Sequence, residues 1–260
     1  MIIQGRFYHP MLEIRNLTKI YDGKVLAVDN VSFEVKEGEF LAVIGLSGSG
    51  KSTLLRCINR LIEPTSGQII WNNIDITSAS QNEMRNVRRK IGMVFQHFNL
   101  VSRSKVITNV LSGRLGYINP ALSLINRFPP TDVEMALKQL ERVGIADQAY
   151  KRADELSGGQ QQRVGVARAM MQEPEIILAD EPVASLDPVL AHSIMQYLEK
   201  LNKEDGVTIL CSLHFLDLVH EYADRAIALN QGQLMFDGAP KEIDDARFRN
   251  IYGQEAKRVG

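Results

Sequence analysis

The chain has 260 residues, with 30 lysines and arginines against 31 aspartates and glutamates, a formal net charge of −1. That balance excludes a strongly basic nucleic-acid coat and an acidic tail protein, and a 45% hydrophobic share is ordinary for a globular chain. No run approaches the ~18 consecutive apolar residues of a bilayer span, and the opening MIIQGRFYHPML lacks the pattern of a secretory signal. Cys57 and Cys211 form no disulfide framework and suit no zinc site, so a reduced, cytosolic setting is expected. Residues 11–40 alternate apolar and polar (Leu12, Ile14; Val31, Phe33, Val35), which predicts antiparallel strands. FLAVI at 40–44 is continuously apolar, as in a strand buried on both faces. A glycine-rich turn follows, then a helical LLRCINRLI stopped by Pro64 and Gly67, a short strand QIIW at 68–71, and a return to a sheet at IGMVFQ, 91–96. Residues 97–160 lose the strand signal and predict an inserted helical subdomain. Its helix TDVEMALKQLERVG places Val133, Leu137, Leu140 and Val143 on one face, with Thr131 and Glu134 spaced as a capping box. Strand signals resume at 175–180, 207–212 and 226–230. A helix carrying Leu190, Ile194, Leu198 and Leu201 lies between the first two, and the tail from Ala239 is polar with a short helical end. Strands alternating with helices predict an α/β fold with a parallel core sheet.

The most specific motif is Gly45-Leu46-Ser47-Gly48-Ser49-Gly50-Lys51-Ser52, a G-x-x-x-x-G-K-[ST] loop between a buried strand and a helix. Its glycines let backbone N–H groups curl toward phosphate oxygens, the helix start adds partial positive charge, Lys51 adds a full one, and the Ser52 hydroxyl can ligate Mg²⁺. The rival G-x-G-x-x-G dinucleotide pattern fails at Thr53. The second element is the strand Ile176–Ala179 ending in Asp180 and Glu181. The first acid suits the Mg²⁺ shell through water and the second suits orienting an attacking water. Asn202-Lys203-Glu204-Asp205 matches a guanine-reading pattern but precedes a strand instead of following one, and is read as a solvated helix end. Val87-Arg88-Arg89-Lys90, the one tight basic run, is read as a solvated face, with no nucleic-acid partner expected.

Leu156-Ser157-Gly158-Gly159-Gln160 is the third element. Ser157 and Gln160 have capping-box spacing for the helix that follows, and such a start offers a hydroxyl, N–H groups and a dipole to an anion. Taken together, the phosphate loop, the Asp-Glu strand end and this segment resemble the ATP-binding subunits of ABC transporters over roughly residues 11–238, leaving 239–260 as a short C-terminal extension.

The resemblance implies a P-loop ATPase fold with an N-terminal antiparallel β subdomain, ATP and Mg²⁺ as ligands, and a head-to-tail homodimer. In that dimer Ser157, Gly158, Gly159 and Gln160 touch the partner's ATP, so one chain alone has an incomplete site. It implies that Tyr21, 24 residues before Gly45, stacks on adenine beside the Gly45–Thr53 loop. Gln96 becomes a Mg²⁺ ligand with Ser52 and Asp180. Ser185, Leu186 and Asp187 become a loop crossing the dimer interface, and His214 contacts the γ-phosphate beside the catalytic Glu181 and Lys51. The family also implies integral membrane permease subunits docked near residues 97–130, an extracytoplasmic solute-binding protein, and a peripheral place on the cytoplasmic face of the inner membrane.

The stretches Gln96–Arg103, Leu111–Gly116, Asp180–Pro188 and Cys211–His214 resemble the phosphonate import ATP-binding proteins. Phosphite and hypophosphite importers have closely similar subunits. Polar amino-acid importers share QHFNL but usually carry Thr-Ser-Ala where Val183-Ala184-Ser185 stands here. A soluble ABC-type ATPase acting on DNA or ribosomes is the competing class, disfavoured by the absence of coiled-coil insertions and of a second phosphate loop. A subunit in which ATP binding matters more than turnover is a third, against which Glu181 argues. With 46 residues after His214, no additional sensor domain is expected.

Overall fold

The structure, a computed structural model, describes residues 10–119, 127–184 and 186–252. Two sheets organise it. Strands β1 (Leu12–Tyr21) and β2 (Val25–Val35) form a long antiparallel pair, extended by β4 (Ser66–Trp71) and β5 (Ile74–Asp75) in the order β2-β1-β4-β5. The second sheet runs β10-β9-β3-β8-β7-β6, built from β3 (Phe40–Ile44), β6 (Ile91–Val94), β7 (Ile176–Ala179), β8 (Thr208–Leu213), β9 (Arg225–Asn230) and β10 (Gln233–Gly238). Strands β6 to β9 and β3 are mutually parallel; β10 is antiparallel to β9. β3 is buried along all five residues, which matches its unbroken apolar run.

The helices are α1 (Lys51–Ile58), α2 (Gln81–Arg89), α3 (Val106–Leu111), α4 (Pro130–Arg142), α5 (Gly158–Met170), α6 (Pro188–Asp205), α7 (Leu216–Tyr222) and α8 (Asp245–Tyr252). Between β6 and β7 the described residues hold helices, turns and one isolated bridge, Lys105–Arg152. There α3, α4 and α5 share a core of Val106, Val110, Ala136, Leu140 and Val164. Each fully buried aliphatic side chain there contributes about 1.5–3 kcal/mol.

Several local expectations need correcting. The helix after the phosphate loop ends at Ile58, before Pro64, because Arg60 adopts a left-handed φ of 46° and the N–H groups of Leu61 and Ile62 turn back to Arg56. Thr131 makes no capping box: Pro129 is the cap and Pro130 the first helical residue, where the missing N–H costs nothing. The run 87–90 is only partly a solvated face: Lys90 is exposed, while residues 87–89 are half-buried. Arg88 donates to the Asn59 and Arg60 carbonyls, Arg89 lies 5.1 Å from the Tyr117 ring centre, and Lys90 pairs with Glu175 at 3.1 Å. Asn202 is not solvated. It is buried and donates to the Gly38 and Val207 carbonyls, pinning the end of α6 to the β2–β3 turn.

Candidate functional site

The parallel strands deliver the candidate residues to one edge. β3 ends at Ile44 and runs straight into the loop 45–50, whose Gly50 caps α1 in a left-handed conformation, φ 106°. A side chain at Gly50 would overlap the Ala27 carbonyl of β2, and one at Gly45 the Leu229 carbonyl of β9, so both positions need glycine. The N–H groups of the first turn of α1 have no partner within the helix, which leaves them for an anion. Lys51 folds back over the loop, donating to the carbonyls of Gly45 (2.9 Å) and Leu46 (3.0 Å). Burial lowers its pKa below the ordinary lysine value, while Glu181 and Asp180 oppose that shift.

β7 brings the two acids. Asp180 is fully buried, accepts from Ser52 Oγ at 2.6 Å through Oδ1, and pairs with Arg56 at 3.0 Å through Oδ2. Glu181 sits in a left-handed conformation, φ 49°, and its N–H donates to Ser212 Oγ at 2.8 Å. That anchor turns its carboxylate so that Oε1 lies 2.7 Å from His214 Nε2 and 3.7 Å from Lys51 Nζ. Residues far apart in sequence thus meet at one oxygen, because β3, β7 and β8 end side by side.

The other candidates fall around this centre. The Tyr21 hydroxyl lies 3.4 Å from Thr53 Oγ1, at the loop's flank. Gln96 follows β6, half-buried, and its amide makes no hydrogen bond among the described residues. Phe98 and Asn99 just beyond it are both left-handed, and Arg168 of α5 holds their carbonyls at 2.9 and 2.6 Å. Ser157 and Gln160 do form a capping box. Among the described residues no hydrogen bond joins 157–160 to the chain's own phosphate loop. A side chain on Gly159 would press into Leu190 of α6, so the segment lies against the helix that Asp187 caps through Leu190 N–H. Leu186 packs partly buried on the core. Ser185 lies outside the described residues.

Sequence reasoning missed Arg56, Arg168 and Ser212. None has a motif of its own; each is recognisable only by the partner the fold supplies. A Mg²⁺ fit is supported by the hard oxygen donors Ser52 Oγ and Asp180 Oδ1, already in contact, with an unpaired Gln96 amide as a further donor. Among the described residues no cluster of three or more His, Cys, Asp or Glu could hold a metal ion.

A glycine loop between a buried strand and a helix, a paired Asp-Glu strand end and a capped glycine segment are the three elements that suggest an ATP-binding cassette. Residues 28–184 match the family described as ABC transporter, and the chain belongs to that family. It is 52% identical over 247 residues to phosphonates import ATP-binding protein PhnC 1 of Halalkalibacterium halodurans, covering 95% of this chain and 96% of that one. It is 51% identical over 251 residues to the phosphonates import ATP-binding protein of Bdellovibrio bacteriovorus, covering 96% of each. Among solved structures it resembles a bacterial ABC transporter cassette determined as a dimer, with TM-score 0.80 and 36% identity over 88% of this chain and 99% of that chain. The α/β fold expected from the sequence is that of these cassettes, and the chain is an ATP-hydrolysing transport motor of their kind.

Proposed function

We propose that this chain powers a phosphonate importer, working as a head-to-tail homodimer bound to integral membrane permease subunits. The observation that carries the hydrolytic part is the convergence of Lys51 and His214 on one oxygen of Glu181. The phosphonate cargo is supported by the names of the relatives at about half identity over nearly the whole chain. In this reading residues 11–238 form one cassette, with 97–160 as its helical part.

The loop 45–53 binds the ATP phosphates and Tyr21 packs on the adenine. Glu181 accepts a proton from a water whose oxygen attacks the γ-phosphorus, and the bond from that phosphorus to the β-phosphate oxygen breaks to release ADP and inorganic phosphate. Lys51 moves from its carbonyl partners to the phosphates, and His214 donates to the transferred group. Ser52, Asp180 through water, and Gln96 would hold Mg²⁺, which would neutralise phosphate charge. Ser157, Gly158, Gly159 and Gln160 face the partner's ATP, and Ser185, Leu186 and Asp187 cross between the two chains.

For the permease, a cleft of about 570 Å³ lies between the end of α2 and residues 112–118, lined by Arg85, Arg88, Arg89, Leu115, Tyr117 and Gln172. Arg85, Arg88 and Arg89 make its lining basic among the described residues, which suits an acidic membrane-subunit segment better than a basic one. Among the described residues no helix is long and apolar enough to cross a membrane. In this reading the chain sits on the cytoplasmic face of the inner membrane, and an extracytoplasmic binding protein selects cargo.

Uptake tests the reading. Cells lacking the chain are complemented with wild type or Glu181→Gln and offered labelled methylphosphonate, phosphite, phosphate and a polar amino acid. Methylphosphonate uptake restored by wild type alone is expected. Restoration of amino-acid uptake only would keep the motor and overturn the cargo.

A further inference from the structure

Arg56 stands outside every motif read from the sequence, yet its guanidinium reaches the buried acid of the phosphate site. It lies four residues after Ser52 on α1, so the two share one face of the helix. Leu54, Leu55, Cys57 and Ile58 bury the other sides. Ser52 Oγ donates to Asp180 Oδ1 at 2.6 Å, and one turn later Arg56 Nη2 donates to Asp180 Oδ2 at 3.0 Å. The base of the arginine is fixed as well. Its carbonyl accepts from the N–H groups of Leu61 at 2.9 Å and Ile62 at 3.2 Å, where the chain turns back through left-handed Arg60.

Asp180 has its backbone held by β6, its N–H donating to the Val94 carbonyl at 2.9 Å. Its carboxylate is fully buried, and the further contact from Ser212 Oγ, at 3.5 Å, falls on the same Oδ1 that Ser52 meets. Oδ2 therefore has Arg56 as its one hydrogen-bond donor among the described residues. The terminal torsion of an aspartate is soft. Without that donor the carboxylate is free to turn, and Oδ2 is left buried and unpaired. The guanidinium is 41% exposed, so its charge is screened by water, whereas its hydrogen bond to a fully buried oxygen is not.

We infer that Arg56 is a positioning residue for the Mg²⁺ of the nucleotide site, a role that rests on reading Ser52 and Asp180 as part of that site. By holding Oδ2 it keeps Oδ1 turned toward Ser52, the hydroxyl that would take the ion. The sign of the effect separates this role from two others. A cation that acted through charge alone would repel Mg²⁺, so its removal would tighten the ion. A strut that served only the fold would change nucleotide binding alike with metal and without. Removal of a positioning residue weakens the ion and leaves metal-free nucleotide binding in place.

The experiment follows binding of fluorescent mant-AMPPNP, which is not hydrolysed, to the full chain as Mg²⁺ is raised and, separately, in EDTA. Wild type, Arg56→Met, Asp180→Asn and the double variant are compared, each with a thermal melt. Arg56→Met keeps most of the stem and removes the fork. Partners that orient metal ligands contribute roughly ten- to a hundredfold to metal affinity, and Asp180 would meet the ion through water, so half-saturating Mg²⁺ is expected to rise about tenfold in Arg56→Met. Kd in EDTA is expected to stay at the wild-type value. The double variant is expected to match Asp180→Asn, because Arg56 acts through that carboxylate. Half-saturating Mg²⁺ that falls or holds in Arg56→Met, while rising in Asp180→Asn, overturns the role given to Arg56 and leaves the metal site standing. An equal rise of Kd with Mg²⁺ and in EDTA overturns it in favour of a strut. Unchanged Mg²⁺ dependence in Asp180→Asn overturns the metal reading and the inference with it. If Arg56→Met does not fold, Asp180→Asn against the double variant decides, since neither holds an unpaired carboxylate at 180. An equal Mg²⁺ requirement supports action through Asp180, and a lower one in the double variant overturns it.

Discussion

Replacing Gly50 by alanine and, separately, Gly48 by alanine tests how the phosphate loop holds its shape. Both glycines have positive φ, 106° and 79°, so both variants strain the backbone. Gly48 faces open space, with nothing within 4 Å of an added Cβ. Its alanine variant bears only the conformational cost, about 1–2 kcal/mol. Gly50 lies farther from the left-handed helical well, and its Cβ would overlap a backbone oxygen of β2 that cannot rotate away. Strain of ~1–3 kcal/mol adds to overpacking of ~1–3 kcal/mol, so Gly50→Ala loses roughly 2–6 kcal/mol. The expected gap between the variants is about 2 kcal/mol. At ~2–4 °C per kcal/mol this separates their melting points by roughly 4–8 °C. Urea titration and calorimetry of the nucleotide-free chain measure it. Equal stability of the two variants would refute the argument, because it would mean that the Ala27 carbonyl does not constrain the loop.

Glu181→Gln keeps the shape of the side chain and removes its basicity. Turnover should fall by ~10²–10⁴ while mant-ATP binding persists, and hydrolysis at the wild-type rate would remove Glu181 from the chemistry. Ser212→Ala leaves the Glu181 N–H without its acceptor, which costs about 1–3 kcal/mol of stability. It should also reduce kcat by roughly ten- to a hundredfold with KM little changed, and an unaltered kcat would show that Glu181 keeps its geometry unaided. Because burial lowers the Lys51 pKa, its charge is lost at lower pH than that of an exposed lysine. ATP affinity, measured against pH, should therefore decline before the ordinary lysine range, and a flat profile through that range would contradict it. Burial pushes the Cys57 thiol up to about 11 and Cys211 further still. The native chain should be inert to a thiol reagent at pH 8, and the unfolded chain should release two equivalents; rapid native labelling would show that these sites open.

Much of the site is legible in the sequence because its chemistry is local. Gly45–Ser52 needs a strand before it, glycines within it and a helix after it, all contiguous. Ser157 and Gln160 are a capping box within one helical turn, and Asp180-Glu181 closes an apolar strand. Where local signals were weak, elements were missed. α2 buries only Met84, so it has no apolar stripe to read, although its Ser80–Glu83 capping box was present. β10 is an edge strand whose residues are nowhere fully buried.

What the residues' order does not contain is who meets whom across the sheet. Glu181 reaches Lys51 and His214 because β7 and β3 both flank β8 in parallel, which places the ends of three strands together. Ser212 fixes the Glu181 backbone, Arg56 balances Asp180, and Arg168 pins two left-handed residues after Gln96. Each is an ordinary serine or arginine until folding supplies its partner. Motif chemistry travels along the chain, whereas charge pairing and orientation depend on distances of a few ångströms between strands, and those distances exist only once the parallel sheet has formed.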